Sequence, residues 1–471
     1  MTGSRPPRID RLPAGAIHAV GAAGLETAAM VRYLVEGGRD DIVLHDASGD
    51  LDRAFREAHR FQPAGQRSRA RAALDRCRDL RTGDAYLAGI GTAAAVLLPV
   101  SWFLRPANEG LAALRDRSVT YPDACFDLWR GGVLGVTGSC GKTTTTRFAA
   151  TLLDGVCCGN DREADFDLAA LAAVPPDRWL VFELSNRHLH NGFRRLLDVG
   201  VLTGITLNHE PDHGSFEAYR RVKYSLADRC REFLCHASVP AEYPDAAGVA
   251  ARGSSYGDGG AWRLVAGGLA GPDGARCRLA GAESLVAFDR DNVVAAAAAA
   301  LLCGVPPADV ESRAHALTDA VPRYRHATRR VGDRLVVNDA AACVPASTAA
   351  LVRALDRRFV LVCGGDRQRY RVGEFDDLAQ AVSANRHAAL VCVTGPMAGH
   401  LEAALRAAGF DAVTACGDLT AAVTRGLAVA DAALVFSPGC GTGTLFTDKY
   451  ERGEAFDDAV AAVLPDGQAT A

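Results

Sequence analysis

Residues 133–147 read V-L-G-V-T-G-S-C-G-K-T-T-T-T-R, an apolar run that enters a glycine-rich turn and leaves it as a helix beginning at a lysine. Little else can be built from such a segment. The glycines let backbone N–H groups turn inward around an anion, and the first turn of the helix presents its positive end to the same point. The strand belongs in a parallel sheet with the turn at its carboxyl end, which places the chain in the α/β class. Gly138, Ser139 and Gly141 are the expected phosphate cradle. Lys142 is expected to reach the β- and γ-phosphates, and Thr143, followed by Thr144, to hold Mg2+ with its hydroxyl. The strict spacing places a further glycine six residues before the lysine, where this chain has Val136. A purely structural glycine turn does not account for Gly-Lys-Thr-Thr, so binding of ATP or GTP is expected.

Strand-like and helix-like runs alternate on both sides of this segment. A chain of 471 residues corresponds to about three domains of roughly 150 residues. Residues 1–128 open with a strand from Ala16, a turn at Gly21 and Gly24, a helix through Leu34 and a second strand ending at Asp46. That is a Rossmann-like βαβ start, although G-A-A-G is not the dinucleotide fingerprint, and a βαβ unit without ligand fits as well. An apolar stretch from Tyr86 to Val100 reads as another buried strand. Residues 129–320 carry the phosphate loop, apolar runs at 179–185 and 201–209, a Gly- and Ala-rich excursion at 241–281 that reads as β-rich, and an Ala-rich helix after Asn292. Residues 321–471 show strands at 335–338, 359–363, 389–393 and 433–437 with helices between, a second Rossmann-like pattern.

Composition excludes several classes. A net charge of −4 argues against binding nucleic acid through phosphate neutralisation. The Arg-rich run from Arg67 to Arg81 is interleaved with Ala and Leu and reads as the solvated face of a helix. The first ten residues have no apolar run behind their charges, and the longest soft stretch, residues 293–303, is too short to span a bilayer. A cytosolic protein with no membrane insertion is expected. The 14 cysteines sit singly in apolar runs without a C-x-x-C pair, as reduced core residues do. Of the 52 basic residues only Lys142, Lys223 and Lys449 are lysines. Each therefore marks a place where arginine would not serve.

Glu183 ends an apolar run, where a carboxylate is costly unless it meets a cation; a magnesium ligand is the natural reading and a capped salt bridge the other. The run N-H-E-P-D-H-G-S-F-E-A-Y-R-R-V-K-Y-S, residues 208–225, gathers hard oxygen ligands and two histidines at a further strand end.

Taken together, T-G-S-C-G-K-T-T, E-L-S, N-x-E-P-D-H with G-S-F-E-A-Y-x-x-x-K, N-D-A-A-A, G-G-D and S-P-G-C…E-R-G resemble the Mur ligase family, most closely its D-glutamate-adding branch, over almost the whole chain. The resemblance implies three domains: an N-terminal Rossmann-like domain for a UDP-linked carboxylate, a central P-loop ATPase domain and a C-terminal Rossmann-like domain for the amine. It implies a cytoplasmic ATP-dependent amide ligase of peptidoglycan synthesis, acting through an acyl phosphate, with Mg2+. Glu183 and His213 match the family's magnesium ligands. Lys223 matches the lysine that CO2 converts to a carbamate, chemistry closed to a guanidinium. Lys142, Lys223 and His213 are thus the expected catalytic set. Asn292, Arg325 and Asp339 match nucleotide contacts, and Asp46 a uracil or ribose contact.

Departures fall beside His213, in the adenine-side motif and in third-domain positions, the last being where the family's D-glutamate enzymes hold the incoming amino acid's carboxylates. About four residues are missing between His213 and Gly214. H-N-x-x-N reads D-N-V-V-A, H-R reads Tyr324-Arg325, and D-S-K-A-T reads D-A-A-A-C, with Ala341 for lysine and Cys343 for threonine. Gln368 replaces a second lysine, Thr442 a serine, and Lys449 an aromatic residue beside the pocket. Gln368, Thr442 and Lys449 are the candidate amine-substrate contacts. The expectation is a monomeric ligase of small molecules whose amine pocket is rewritten. A related ligase joining another amine outside peptidoglycan synthesis, or a non-catalytic nucleotide-binding regulator, are the alternatives.

Overall fold

The computed structural model describes residues 7–161, 166–206, 210–266, 268–279, 283–366 and 375–464. They fall into two packed units, one drawn from residues 1–204, 217–279 and 294–314, the other from 205–216, 280–293 and 315–471.

The first unit contains two parallel sheets. One has the spatial order Asp79–Thr82, Ile42–Asp46, Ile17–Val20, Ala95–Leu98, Ser118–Thr120. The other runs Ser254–Tyr256, Cys230–His236, Leu197–Leu202, Val133–Thr137, Leu180–Glu183, Val156–Gly159. Their central strands are apolar without alternation because both faces are covered, as parallel sheets require. Polar contacts join the two sheets: Trp102 Nε1 donates to Asn191 Oδ1 at 2.6 Å, and Arg32 pairs with Asp167 at 2.6 Å. The expected β-rich excursion is a small antiparallel sheet of Arg263–Val265, Gly268–Ala270 and Arg276–Arg278.

The second unit is built on a six-stranded sheet in the order Ala327–Val331, Arg334–Asn338, Ala433–Phe436, Phe359–Gly364, Ala388–Thr394, Val413–Ala415. Only its edge pair, Ala327–Val331 with Arg334–Asn338, is antiparallel. The α/β class and the four strands expected in this segment stand.

Three local expectations need correction. The helix in the Arg-rich run ends at Asp75, and Arg81 lies in the strand Asp79–Thr82, which gains backbone pairing with Ile42–Asp46. The apolar stretch at 86–100 is strand only over Ala95–Leu98, because Gly89, in a left-handed turn, opens a short 3-10 turn at Ile90–Thr92. The strand expected at 201–209 starts earlier, at Leu197, and stops at Leu202; Gly204, at φ 145°, leaves the strand path, and residues 207–209 lie outside the described residues. Among the described residues no helix is long and apolar enough to cross a membrane.

Candidate functional site

Val136 has no room to be part of the turn. It is fully buried in the strand and pairs with Glu183 on one side and Val201 on the other. The turn therefore begins two residues later, at Gly138, whose φ of 153° and surroundings admit no side chain: a Cβ would meet Thr203 Oγ1 at 2.0 Å. Gly141, at φ 79°, caps the helix Lys142–Leu153. Ser139 is held from both ends, its N–H donating to Gly204 O at 2.8 Å and its hydroxyl meeting that of Tyr219 at 2.9 Å. Lys142 folds back over the loop, Nζ donating to Ser139 O at 3.0 Å. Thr143 is half-buried at the start of the helix and Thr144 is buried behind it. The N-terminus of the helix Lys142–Leu153, with the Lys142 ammonium folded over the loop before it, suits a phosphate chain.

Beside this loop two ionisable groups are almost sealed from solvent. Glu183 is 2% exposed at the end of its strand; Oε1 accepts from Asn160 Nδ2 at 3.1 Å, and Oε2 has no hydrogen-bond partner among the described residues. Lys223 is 1% exposed, and its Nζ donates to Thr137 Oγ1 at 2.9 Å, that hydroxyl donating onward to Leu184 O at 2.7 Å. Burial, and then the charge of Lys142, hold the Lys223 amine well below the ordinary lysine range, with Glu183 opposing. A neutral amine is a nucleophile; an ammonium is not. The orphaned Glu183 oxygen is what a divalent cation needs, and a carboxylate left bare at this depth is costly. Among the described residues no three His, Cys, Asp or Glu side chains converge as a metal cage. A Mg2+ held by few protein ligands and by substrate phosphates fits that arrangement.

His213 closes the short helix Glu210–His213 of the second unit and is half-buried. The other nucleotide-side candidates cluster in the same unit. Asn292 donates from Nδ2 to Asp289 Oδ1 at 2.8 Å, Arg325 is half-buried, and Asp339 is completely buried, Oδ2 accepting from Ser437 Oγ at 2.8 Å. Thr442 is half-buried in the loop that Asp366 pins by accepting from Thr444 N at 2.9 Å. Lys449 starts the last helix, with Nζ 4.8 Å from the Tyr450 ring centre. Gln368, with Arg367 and Arg369, lies outside the described residues. Asp46 sits in the first sheet with both oxygens engaged by backbone, from Ala23 N and Ser48 N, each at 2.9 Å, so it braces the turn after the first strand.

Sequence reasoning passed over three residues. Asn160 follows Gly159 at a strand end and orients Glu183; G-N beside E-L-S at neighbouring strand ends was its only signal. Arg452 is 1% exposed and donates to Cys440 O at 2.8 Å, Ala340 O at 2.6 Å and Cys343 Sγ at 3.3 Å, tying together two loops that carry the altered amine-side motifs. Asp289 is the third; its carboxylate would pass for a solvated helix charge in sequence, yet it is 3% exposed.

The Mur ligase middle domain is matched over residues 136–239. The UDP-N-acetylmuramoylalanine--D-glutamate ligase of Roseiflexus sp. is 31% identical over 398 residues, covering 76% of this chain and 81% of the relative. The enzyme of the same name from Gloeobacter violaceus is 30% identical over 396 residues, covering 78% and 85%. Among solved structures, the UDP-N-acetylmuramate-alanine ligase MurC of Thermotoga maritima superposes with a TM-score of 0.57 at 14% identity, over 95% of this chain and 99% of that one. The MurF ligase of Thermotoga maritima in complex with ADP gives 0.52 at 17% identity, over 79% and 89%.

Proposed function

This chain belongs to the Mur ligase family, and from that premise we propose that it joins a UDP-linked carboxylate to the amine of an amino acid, driven by ATP, with UDP-N-acetylmuramoyl-L-alanine and D-glutamate as the conservative pair. The observation that carries the reading is the sealed pair of Lys223 and Glu183 beside the phosphate loop. A carboxylate is a poor electrophile and must first gain a leaving group. The loop positions the ATP phosphates, and Lys142 offsets charge as the γ-phosphoryl passes to the substrate carboxylate. The amine then attacks the acyl phosphate, forming the amide and releasing phosphate and a proton.

Mg2+, when bound, neutralises the phosphates; Thr143, Glu183, His213 and a carbamate on Lys223 are the proposed ligands. Lys223 is suited to that modification because burial favours its neutral amine, whose nitrogen adds to the carbon of CO2 and releases one proton. Site assignments at Asn292, Arg325 and Asp339 for the nucleotide, and at Gln368, Thr442 and Lys449 for the amine, belong to the same proposal. So do domains at 1–128, 129–320 and 321–471, a cytoplasmic location and a monomeric state.

A different amine, and a role outside peptidoglycan, is favoured by one feature: Ala341 is buried where a lysine would carry charge, and Arg452 spends its described bonds on Cys440 O, Ala340 O and Cys343 Sγ. A regulator that only binds nucleotide would have no use for a buried lysine of lowered pKa beside a carboxylate with one oxygen unpartnered among the described residues. Release of ADP and phosphate is the test, measured over pairs of UDP-linked carboxylates and amines. ADP release that needs both partners supports the ligase, and release that ignores the amine excludes it.

A further inference from the structure

The adenosine-side motifs have lost groups, since Asp291 stands for a histidine, Ala295 for an asparagine and Tyr324 for another histidine. The helix Glu283–Leu302 is interrupted at Asp289, where φ is −122° and ψ is 23°. That break lies three residues before Asn292 and turns a buried carboxylate toward the loop that opens the six-stranded sheet of the second unit. Asp289 Oδ1 takes the Asn292 amide at 2.8 Å, and Oδ2 lies 3.4 Å from His326 Nδ1. On its other side His326 Nε2 is 3.7 Å from Asp339 Oδ1, and the His326 backbone N–H donates to the same oxygen at 3.4 Å. Asp339 Oδ2 continues the chain to the hydroxyls of Ser437 and Thr348, each step 2.8 Å.

Two buried carboxylates facing one imidazole favour its charged form. The backbone agrees, because Tyr324 and His326 both adopt left-handed conformations, φ 58° and 49°, which side chains other than glycine avoid. Arg325 lies between them, so its direction of approach is fixed by bonds that His326 makes.

We propose that Asp289, His326 and Asp339 form a buried acid–imidazole–acid latch that holds Asn292 and Arg325 in register for the adenosine end of the nucleotide. His326 is a positioning residue: it fixes the loop bearing Arg325 on one side and, through Asp289, the Asn292 amide on the other. The inference rests on the ligase reading for its ligand and on this geometry for its residues.

The charge on His326 has a working range. Burial lowers its pKa, but Asp339 and Asp289 outweigh burial, with Arg325 opposing them, and the net shift is upward. The folded protein therefore holds the imidazolium to higher pH than a free imidazole does and loses it as pH rises through the raised value, so the latch weakens on the alkaline side.

The test is calorimetric titration of the whole chain with ADP from pH 6 to 9, alongside ATP and amine kinetics. Wild-type ADP affinity should fall at least fivefold toward pH 9. His326→Ala should weaken ADP at least tenfold at pH 6.5 and flatten that profile. It should raise the KM for ATP by a like factor, with the KM for the amine unchanged and kcat at saturating ATP within twofold. His326→Gln, which keeps bonding but no charge, should be flat as well. Asp289→Asn should reproduce the loss in part. If the variants fail to fold, the wild-type profile decides alone, and a flat one overturns the latch. A pH-dependent wild type with an unchanged His326→Ala overturns it too. Wild-type protein that binds no ADP at any pH overturns the ligase reading and the latch with it.

Discussion

Glu26 Oε1 and His188 Nε2 lie 3.1 Å apart, joining the helix Leu25–Glu36 to the short helix Asn186–Asn191 that follows Glu183. His188 Nδ1 accepts from Ser185 N at 3.1 Å, so the neutral ring carries its proton on Nε2 and donates it to Glu26. His188 is fully buried, and Glu26 Oε2 also accepts from Val100 N at 3.2 Å. Glu26→Ala therefore strands a buried donor, at a cost of about 1–3 kcal/mol in urea unfolding. Glu26→Gln, whose carbonyl can still accept, should lose less than half of that. Equal losses for the two variants would mean that charge, not the hydrogen bond, joins the elements.

Lys223, buried as it is, opposes stability. The unfolded chain keeps this amine charged up to the ordinary lysine value near 10.4, whereas the folded chain holds it neutral from well below that point. The unfolded state binds the extra proton, so stability contributed by this group rises with pH across that interval. Lys223→Met should raise stability at pH 7 by about 1–4 kcal/mol in CO2-free buffer, flatten the pH slope and abolish turnover. Lys223→Ala should also be inactive, with partial recovery in high bicarbonate or a short-chain carboxylate. Full activity of the Ala variant without additives would remove the carbamate from the mechanism.

The neighbourhood of Glu183 separates fold from function over two consecutive residues. A Cβ on Gly159, at φ 105°, would lie 2.4 Å from Glu183 O, so Gly159→Ala should cost about 2–4 kcal/mol of stability by pushing neighbouring strands apart. Asn160 is exposed and bonds the Glu183 carboxylate through its side chain. Asn160→Ala should lower kcat at least tenfold, about 1.4 kcal/mol, while the melting temperature moves by less than 2 °C. A large loss of melting temperature would make Asn160 a fold residue instead.

The amine pocket gives the last expectation. Loss of lysine at Ala341 and at Gln368 removes two charge-assisted bonds worth roughly 1.5–3 kcal/mol each, so D-glutamate should be a poor substrate unless other cations replace them. Lys449 is the candidate replacement. Lys449→Met should raise the KM of the preferred amine about tenfold, equivalent to 1.4 kcal/mol, with ADP affinity unchanged. Lys449→Arg should be nearly as damaging, because a planar guanidinium cannot follow a compact ammonium into a tight pocket. An Arg variant that behaves as wild type would return Lys449 to the surface. Efficient D-glutamate use that survives removal of Arg367 and Arg369 would show the pocket to be read wrongly.

The phosphate loop, Glu183 and Lys223 were legible because their chemistry demands residue types at fixed spacing from strand ends. The strands of the second unit's six-stranded sheet were legible for a simpler reason, since Phe359–Gly364 and Ala433–Phe436 are unbroken apolar runs covered on both faces. Asn160 and Asp289 were not. Each is an ordinary polar residue locally, and its role arises only when another strand or loop, distant in sequence, is brought against it. Asp46 was legible as an acid at a strand end, whereas the backbone N–H groups of Ala23 and Ser48 that its oxygens accept from were not.

The burial of Lys223 has a practical corollary for following the enzyme in solution. A chain with three lysines offers an acylating reagent only three side-chain amines, each in a different setting. Lys223 at 1% exposure should acquire label at the rate of unfolding, Lys142 at a rate that drops when nucleotide covers the loop, and Lys449 at the rate of an amine on a helix end. One digest read by mass spectrometry thus follows fold integrity, nucleotide occupancy and any protection of Lys449 by an added amine as three separate peptides from a single sample.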